Sequence, residues 1–400
     1  MGVKRWLALL LFGVLCVAVG AAVLLNSPFL SLLEQRLLDL VENLTWNTWV
    51  LGAALILTGL LWISLAIRFG IRSLVSAIKP AEDVAKLVDH VYKTRNLQRG
   101  PSIVALGGGT GLATMLRGLK EYSSNLTAIV TMADDGGSSG RLRDDFGMLP
   151  PGDIRNTIIA LADTEPLMEK LFQHRFSAGE LGGHSFGNLF IAAMNEITGD
   201  FEETVRKVSQ VLAVRGKVLP STLETVRLGA HFADGSLVMG ESRIPLQGGK
   251  IKEVFLVPKD ARALPEALAA IEEADVVVLG PGSLYTSIIP NLLVAPLADA
   301  LVNTKALRVY VCNVMTQPGE TDGLSAGDHV RALFKHVQHK PILDYVLVNQ
   351  THISTAEAEK YAAEGAHPVR ADLGVLEKLG VAVRQGDFMD KTDLARHDSG

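Results

Sequence analysis

The sequence has only two cysteines in 400 residues, Cys16 and Cys312. Cys16 lies in a long apolar run and Cys312 in a predicted buried strand, so we expect neither a disulfide nor a cysteine-based metal site between them. The formal net charge is −5, and the sequence has no basic stripe with interleaved aromatic residues. Both features argue against a nucleic-acid partner. Internal repeats and low-complexity segments are also lacking.

Two long uncharged stretches lie near the N-terminus, at residues 6–25 and 49–67. Each is long enough to cross the hydrocarbon core of a bilayer as a helix. Trp6, Trp46 and Trp49 fit the interfacial positions that flank such spans. A cleavable signal peptide is the alternative for the first stretch, because Lys4 and Arg5 precede it. The length of that stretch and the second one soon after it favour a pair of membrane spans.

We therefore predict a transmembrane helical hairpin over residues 1–67 and a juxtamembrane connector, read as a solvated amphipathic helix, over 68–100. Basic residues precede the first span and follow the second, whereas the four charges at 34–42 sum to −2. The positive-inside rule then places both termini and the main domain in the cytoplasm. The predicted location is the cell membrane, with the chain crossing it more than once.

From Ile103 onward, short apolar runs alternate with helical patterns. Strands separated by helices predict a parallel sheet, and central strands that are apolar throughout predict a sheet covered on both faces. We therefore expect residues 101–400 to form an α/β domain with a doubly wound, Rossmann-like parallel sheet. Residues 215–258 differ, because their alternating runs and glycine turns predict a small antiparallel β insertion.

A glycine-rich turn follows the first predicted strand and opens a predicted helix. It consists of Gly107, Gly108, Gly109, Thr110 and Gly111. Helix N-termini bind anions, and glycines let the backbone approach a phosphate closely. The spacing lacks the lysine of a Walker A motif, and a dinucleotide fingerprint would need glycine where Leu112 stands. We predict a phosphate-binding turn, with a purely structural turn as the alternative.

Polar loops also follow the other predicted strands. Asp134 and Asp135 end the second strand, where they could hold a ribose or Mg²⁺, or form a solvated pair. Asp153 is read as a helix N-cap. The segment 183–187 matches the G-x-S-x-G elbow of serine hydrolases, but no convincing strand precedes its serine. We therefore read it as a second helix N-terminus at which Asn188 meets a ligand.

The loop after the most apolar strand supplies Gly282, Ser283, Tyr285 and Thr286 to the same edge of the sheet, and the next loop begins with Asn313. Tyr285 is predicted to stack on a base, with plain packing as the alternative. The carboxyl ends of parallel strands share one edge, so we expect these loops to line one ligand site.

Taken together, the motifs at 107–111, 134–140, 185–188, 280–287 and 313–321 resemble the YvcK/CofD-like family of gluconeogenesis factors. The resemblance covers essentially all of 101–400, and the hairpin departs from the common soluble form. It implies binding of a UDP-sugar, such as UDP-N-acetylglucosamine, and regulation of carbon metabolism and cell-wall morphogenesis. It also makes Arg396 a candidate diphosphate contact and Ser399 a candidate phosphorylation site in the C-terminal tail.

The leading hypothesis is a membrane-anchored, cytoplasmic UDP-sugar-binding regulator without catalytic residues, in which Gly107–Gly111 hold the diphosphate. The alternative is a Mg²⁺-dependent transferase of a phosphorylated group, like 2-phospho-L-lactate transferase, in which Asp134 and Asp135 hold the metal or the acceptor. A nicotinamide oxidoreductase is a third reading, against which the glycine spacing argues. No cofactor is certain, Mg²⁺ stays open, and so does a homo-oligomer.

Overall fold

The computed structural model describes residues 2–24, 48–78, 95–163, 166–350 and 355–388. The chain divides into two compact units, Met1–Lys93 and Thr94–Gly400. Arg396, Ser399 and the predicted loop of the N-terminal hairpin lie outside the described residues.

The N-terminal unit contains two helices, α1 (Gly2–Leu24) and α2 (Thr48–Ile78). Within them, Arg5–Leu24 and Trp49–Gly70 are long and apolar enough to cross a membrane, with mean hydropathies of 2.8 and 2.4. Because α2 continues to Ile78, the beginning of the predicted connector is an extension of the second apolar helix. The rest of the connector, up to residue 94, lies outside the described residues.

The two helices pack antiparallel through glycines. A Cβ at Gly13 would lie 2.9 Å from the carbonyl oxygen of Gly59, and a Cβ at Gly20 would lie 2.8 Å from that of Gly52. The antiparallel order follows, because the earlier glycine of α1 meets the later glycine of α2. Small residues that let two backbones approach closely are typical of helix pairs in membranes.

The second unit is built on a seven-stranded parallel sheet, as predicted from the alternating apolar runs. Its strands are β1 (Ile103–Gly107), β2 (Leu126–Val130), β3 (Lys217–Pro220), β7 (Val276–Leu279), β8 (Leu307–Val311), β9 (Tyr345–Asn349) and β10 (Ala382–Gly386). Strand β1 is buried along its whole length, as expected for a central strand covered on both faces.

Helices flank this sheet. In chain order they are α3 (Gly109–Leu119), α4 (Gly137–Phe146), α5 (Gly152–Leu161), α6 (Pro166–Gln173), α7 (Phe186–Thr198), α8 (Phe201–Val211), α9 (Ile244–Gln247), α10 (Pro265–Glu272), α11 (Ile289–Leu293), α12 (Ala295–Asn303), α13 (Ala326–His336), α14 (Thr355–Ala363) and α15 (Leu373–Lys378). A 3₁₀ turn spans Glu241–Arg243, and one π-helical turn spans Leu284–Ile288.

The β insertion is a separate antiparallel sheet of three strands in the order β5-β4-β6. The strands are β4 (Arg227–Phe232), β5 (Leu237–Met239) and β6 (Ile251–Val257). Lys217–Pro220, which the sequence places in the insertion, instead forms β3 and pairs in parallel with β2. Its last three residues are buried, which is the environment of a sheet strand and not of an exposed hairpin.

The order β10-β9-β8-β7-β1-β2-β3 gives the sheet one switch point. From β1 the chain adds β2 and β3 on one side; it then returns to add β7 directly beside β1 and continues outward on the other side. The chain therefore leaves β1 toward one side of the sheet and β7 toward the other. Open α/β sheets bind their ligands in the crevice at such a point, beyond the carboxyl ends of the strands.

Candidate functional site

A cleft of about 720 Å³ lies at this switch point. The loops after β1, β2, β7 and β8 supply most of its lining. Two other parts of the chain also contribute to the lining. The β insertion supplies Glu241, and the end of α14 and the residues after it supply Tyr361, Glu364 and Ala366. The site is therefore assembled from widely separated parts of the chain.

The glycine-rich turn forms the centre of the cleft. Gly109 has φ +66°, a left-handed conformation that favours glycine. Gly111 lies so close to the β7 loop that a Cβ there would be 2.6 Å from the carbonyl oxygen of Pro281. The N-cap of α3 is Gly108, which has no side chain to cap the helix. Gly109, Thr110 and Gly111 in the first turn of α3 line the cleft, and the N-terminus of a helix favours an anion.

Asn313 holds the neighbouring loop in place. Its side-chain Oδ1 accepts the N–H of Gly282 at 3.2 Å, and its Nδ2 donates to the carbonyl oxygen of Gly282 at 2.9 Å. Gln317 donates through Nε2 to Ser283 Oγ at 2.6 Å. Asn313 therefore positions the backbone of the β7 loop with the same groups that the sequence interpretation offers to a ligand.

One wall of the cleft is acidic. It consists of Asp134, Asp153 and Glu241, all of which line the cavity. Burial, followed by the neighbouring Asp134 carboxylate, raises the pKa of Asp153 to about 7 and that of Glu241 to about 8. Burial also raises the pKa of Asp134, although the N–H of Gly136 and the hydroxyl of Ser139 partly offset this. The carboxyl groups of Asp153 and Glu241 therefore take up protons at higher pH than exposed carboxyls do.

The predicted pair of Asp134 and Asp135 is divided between two roles. Only Asp134 lines the cleft. Asp135 accepts the N–H of Ser242 through Oδ1 at 2.9 Å and that of Glu241 through Oδ2 at 3.2 Å, and so fixes the 3₁₀ turn of the insertion. Asp135 therefore places Glu241 in the acidic wall.

The N-cap interpretation of Asp153 is wrong. The N-cap of α5 is Pro151, and Asp153 lies one residue inside that helix. Its carboxylate accepts the N–H of Gly109 and lies so close to Gly108 that a Cβ there would be 2.4 Å from Oδ2. Asp153 therefore packs against the glycine-rich turn.

Glu320 accepts hydrogen bonds from the start of the π-helical turn. Its Oε1 accepts the hydroxyl of Thr286 at 3.2 Å, and its carboxylate accepts the N–H groups of Tyr285 and Thr286. Burial raises its pKa to about 7 despite these hydrogen bonds. The predicted ligand contact Thr286 lines the cleft, but its hydroxyl already has a partner inside the protein.

Nine of the predicted contacts lie in the cleft lining: Gly108, Gly109, Thr110, Gly111, Asp134, Gly282, Ser283, Thr286 and Asn313. The structure does not bring three others there besides Asp135. Gly107 ends β1, where its carbonyl oxygen accepts from Asn291 Nδ2 at 3.1 Å. Asn188 is buried and accepts from Arg155 Nη1 at 2.8 Å. Tyr285 is 6 % exposed and belongs to the hydrophobic core, edge-on to His336.

Ser185 has a structural role. It caps α7, where its Oγ accepts the N–H of Asn188, and it also accepts from Arg155. The residues immediately before it are turns, and its backbone makes only an isolated bridge to Arg175. A nucleophile elbow requires a preceding strand. The hydrolase interpretation of residues 183–187 is therefore not supported by this geometry.

Sequence reasoning missed several lining residues, among them Thr131, Glu241 and Tyr361. Thr131 directly follows β2, so its position after a strand could have indicated it. Glu241 and Tyr361 reach the cleft from an insertion and from a later helix, for which the local sequence pattern gives no indication.

A family model described as 2-phospho-L-lactate transferase CofD matches residues 103–389. The chain belongs to the CofD family. The gluconeogenesis factor of Bacillus subtilis is 52 % identical over 75 % of this chain and 95 % of its own length. A Nostoc sp. protein named "Putative gluconeogenesis factor" is 49 % identical over 99 % of this chain and 88 % of its own length.

The same CofD-family fold is found in a crystal structure of a UPF0052 family member from Bacillus halodurans. That structure has a TM-score of 0.73 and 51 % identity, and covers 75 % of this chain and 96 % of the solved chain. The predicted family resemblance and the α/β fold class are thus confirmed. The Bacillus subtilis relative and this solved chain consist almost entirely of the α/β part, whereas the Nostoc match extends through the N-terminal unit.

Proposed function

We propose that this CofD-family protein binds a UDP-sugar in the cleft at the switch point and acts as a membrane-anchored, cytoplasmic regulator of gluconeogenic growth and cell-wall morphogenesis. One observation carries the binding proposal: helix α3, which begins with glycine, has its N-terminus in a cleft that is also lined by carboxylates, of which Asp153 accepts the N–H of Gly109. Such a cleft offers one region to phosphates and another to hydroxyl groups.

The diphosphate is assigned to the N-terminus of α3 and the adjoining Gly282–Ser283 backbone. The positive end of the helix dipole and the N–H groups of its first turn favour an anion there. Asn313 and Gln317 hold the second loop through hydrogen bonds of 2.6–3.2 Å, so the backbone is arranged before the ligand arrives. A fixed arrangement lowers the entropy cost of binding.

The acidic wall is assigned to hydroxyl groups of the sugar. Carboxylates accept hydrogen bonds from hydroxyls, and Asp134, Asp153 and Glu241 all line the cleft and interact electrostatically with one another. Like charges so close together are costly in a buried site, and the raised pKa values of Asp153 and Glu241 reflect this cost. A neutral, hydroxyl-rich group suits this wall better than a second phosphate does.

The regulatory role and its location rest on separate support. Relatives named gluconeogenesis factor support a role in gluconeogenic growth. The apolar helices at Arg5–Leu24 and Trp49–Gly70 support an anchor in the membrane. Basic residues at the outer ends of both spans support a cytoplasmic α/β domain through the positive-inside rule.

A transferase is the second candidate, supported by the name of the matching family model and by carboxyls with pKa values of about 7 and 8 at the cleft. Groups that titrate near neutral pH suit general acid–base chemistry. The described residues contain no group of three or more histidines, cysteines or carboxylates able to hold a metal ion. If the ligand brings Mg²⁺ with it, phosphate oxygens would supply part of its coordination, and two carboxylates would supply the rest: Asp134 with either Asp153 or Glu241. Such a division is usual for this ion.

Calorimetry on residues 95–400 tests the proposal, and relatives that consist of this part alone indicate that it folds independently. UDP-N-acetylglucosamine, GDP and NAD⁺ are titrated with and without Mg²⁺. We expect UDP-N-acetylglucosamine to bind and to remain unchanged after prolonged incubation. Binding of GDP only with Mg²⁺, and none of the UDP-sugar, would reject the regulator and favour the transferase.

A further inference from the structure

The chain enters the α/β domain at the end of the sheet that lies away from the cleft. Residues 95–100 lead into β1, and the turn after α3 leads into β2. Asn125 joins these two segments, because its Nδ2 donates to the carbonyl oxygens of Gln98 and Gly100 at 3.0 and 2.8 Å. Both segments therefore lie at the amino ends of parallel strands, whereas the cleft lies beyond the carboxyl ends.

The beginning of α6 lies at this same end of the domain. Helix α3 runs from the cleft toward the amino ends of the strands, and its last turn holds α6 in place. Lys120, the C-cap of α3, donates through Nζ to the carbonyl oxygen of Ala162 at 3.0 Å. Arg117 forms an ion pair with Glu169 of α6 at 3.6 Å. The first turn of α6 is thus close to the end of α3.

Large apolar side chains are exposed on these segments. Leu167 of α6 is 77 % exposed and Tyr122, just after α3, is 69 % exposed. Met168 and Leu171 are exposed as well, whereas Phe172 on the other side of α6 is buried in the core. Helix α6 therefore has one apolar side for the core and a second apolar side facing solvent. Exposed apolar patches of this kind mark contact with a partner or a membrane.

Basic side chains accompany the apolar ones. Exposed on the same segments are Arg95, Arg99 and Lys170. Two of the acidic residues here are already paired, Glu169 with Arg117 and Asp163 with Arg215, and Glu121 is a further exposed acid. The whole chain has a net charge of −5, so this is a local basic excess on an acidic protein. Apolar side chains beside basic ones suit the interface of an anionic bilayer.

We propose that this surface, here named the entry face, binds an anionic lipid bilayer. It consists of residues 95–100, the turn at Tyr122 and the exposed side of α6. Leu167 and Tyr122 enter the boundary between head groups and acyl chains, while Arg95 and Arg99 contact lipid phosphates. The chain before residue 95 supports lipid as the occupant, because it contains the two apolar helices and keeps the domain near a bilayer.

The entry face also gives the domain an orientation. With this end on the bilayer, the cleft at the carboxyl ends of the strands opens away from the lipid and stays accessible to a soluble ligand. The inference shares only the membrane anchor with the proposed function and does not depend on the binding of a UDP-sugar.

Co-sedimentation of residues 95–400 with vesicles tests the inference without the hairpin. We expect binding at low salt to vesicles of equal parts phosphatidylglycerol and phosphatidylcholine, and none to phosphatidylcholine alone. High salt should release the protein, because it screens the charges. Arg99→Gln should weaken binding about fivefold, the usual effect of one basic residue near an anionic surface. Leu167→Glu should weaken it about tenfold or more, since an apolar contact is lost.

Leu246→Glu and Lys250→Gln are matched controls in the β insertion. Leu246 is 83 % exposed and Lys250 is exposed. The neighbouring Pro245 packs against Gly319 in the loop after β8, which places these controls on the cleft side of the domain. Both controls should bind vesicles as the wild type does. All four substitutions are at exposed positions, so the melting temperatures should not change.

The outcomes that would overturn the inference are distinct. One is a wild type that binds neither kind of vesicle, and another is an equal loss in Leu167→Glu and Leu246→Glu. A dimer that Leu167→Glu dissociates, without vesicle binding, would assign the entry face to a second copy of this chain. Calorimetry with UDP-N-acetylglucosamine on the same fragment tests the proposed function separately. Vesicle binding without sugar binding would reject that function and leave the entry face as inferred.

Discussion

The side chain of Asn313 binds Gly282 twice, accepting its N–H at 3.2 Å and donating to its carbonyl oxygen at 2.9 Å. This pair of hydrogen bonds ties the loop after β8 to the loop after β7. The latter loop in turn rests against Gly111 in the first turn of α3, which follows β1. Three loops at the switch point are therefore fixed relative to one another, which means that the centre of the cleft is formed before any ligand enters.

Replacing Asn313 by Ala should weaken UDP-N-acetylglucosamine binding by about tenfold and lower the free energy of unfolding by about 1–3 kcal/mol. The reason is that the N–H and carbonyl of Gly282 lose their partners beside a half-buried cleft. Calorimetry gives the affinity and thermal unfolding gives the stability.

Asn125→Ala is the matched control for this variant. Asn125 also holds backbone with its side chain, donating to the carbonyl oxygens of Gln98 and Gly100 at 3.0 and 2.8 Å, but it is not part of the cleft lining. It should cost stability without changing affinity. Equal affinity losses in both variants would show that Asn313 acts through general stability alone.

Gly111→Ala should destabilise the domain by about 1–3 kcal/mol, the usual cost of an added methyl group in a closely packed place. The new Cβ would lie 2.6 Å from the carbonyl oxygen of Pro281 and 3.1 Å from Cα of Gly282, so backbone has to move. Affinity should fall as well, because both displaced loops line the cleft. Gly374→Ala, in α15 with open space around it, should be neutral or slightly stabilising. Similar melting temperatures for the two variants would contradict the close contact.

The parts of the site that could be predicted from the sequence are those that follow directly from strand ends. Once Ile103–Gly107 and Val276–Leu279 are recognised as parallel strands, the loops after them must share an edge, and Gly108 and Gly282 are found together there. This inference needs only local patterns and one topological rule. The fold class could be predicted in the same way, because strands of a parallel sheet that is covered on both faces have continuous apolar sequences.

The remaining parts depend on side-chain direction and long-range contacts. Tyr285 and Ser283 are two residues apart, but the π-helical turn sends Tyr285 into the core while Ser283 lines the cleft. Asp134 and Asp135 are adjacent in sequence, but the Asp134 side chain lines the cleft whereas the Asp135 side chain binds the 3₁₀ turn. Glu241 reaches Asp134 only through the β insertion, whose 3₁₀ turn Asp135 holds. No periodicity in the sequence encodes such contacts.

The stability of the empty α/β domain should fall as pH rises from about 4 to about 8. Burial raises the pKa of Glu241 from 4.5 to about 8 and that of Asp153 from 3.8 to about 7. Within that window the folded state holds more protons than the unfolded state, so unfolding becomes easier as pH rises. Thermal unfolding from pH 4 to pH 9 measures this dependence.

Glu241→Gln should flatten this pH dependence. The variant should match the wild type near pH 4 and melt about 2–5 °C higher near pH 9, where the wild type must hold a buried charge. Glu272→Gln alters an exposed glutamate and should leave the pH dependence unchanged. A wild-type melting temperature that is constant between pH 5 and pH 8 would contradict the raised pKa values of Asp153 and Glu241.

The full chain should remain in the membrane fraction after high-salt and carbonate washing, whereas residues 95–400 should be soluble. This follows from the two apolar helices, since a chain held only by surface charge would be released by salt. A reporter fused after Gly400 should be cytoplasmic. Release of the full chain by salt alone would contradict insertion into the bilayer.

Within the hairpin, Gly59→Leu should separate the two helices. Even a single Cβ atom at Gly59 would lie 2.7 Å from the carbonyl oxygen of Gly13 and 2.7 Å from a side-chain carbon of Val17. Gly13 meets Gly59 and Gly20 meets Gly52, and this antiparallel register puts Cys16 at the same level of the helix pair as Ile56. Formation of an intramolecular disulfide on oxidation of an Ile56→Cys variant therefore tests how closely the two helices pack. Gly59→Leu should reduce its yield severalfold, whereas Thr58→Leu, on an exposed position of the same helix, should not. Equal yields in both would mean that the glycines do not control the approach of α1 and α2.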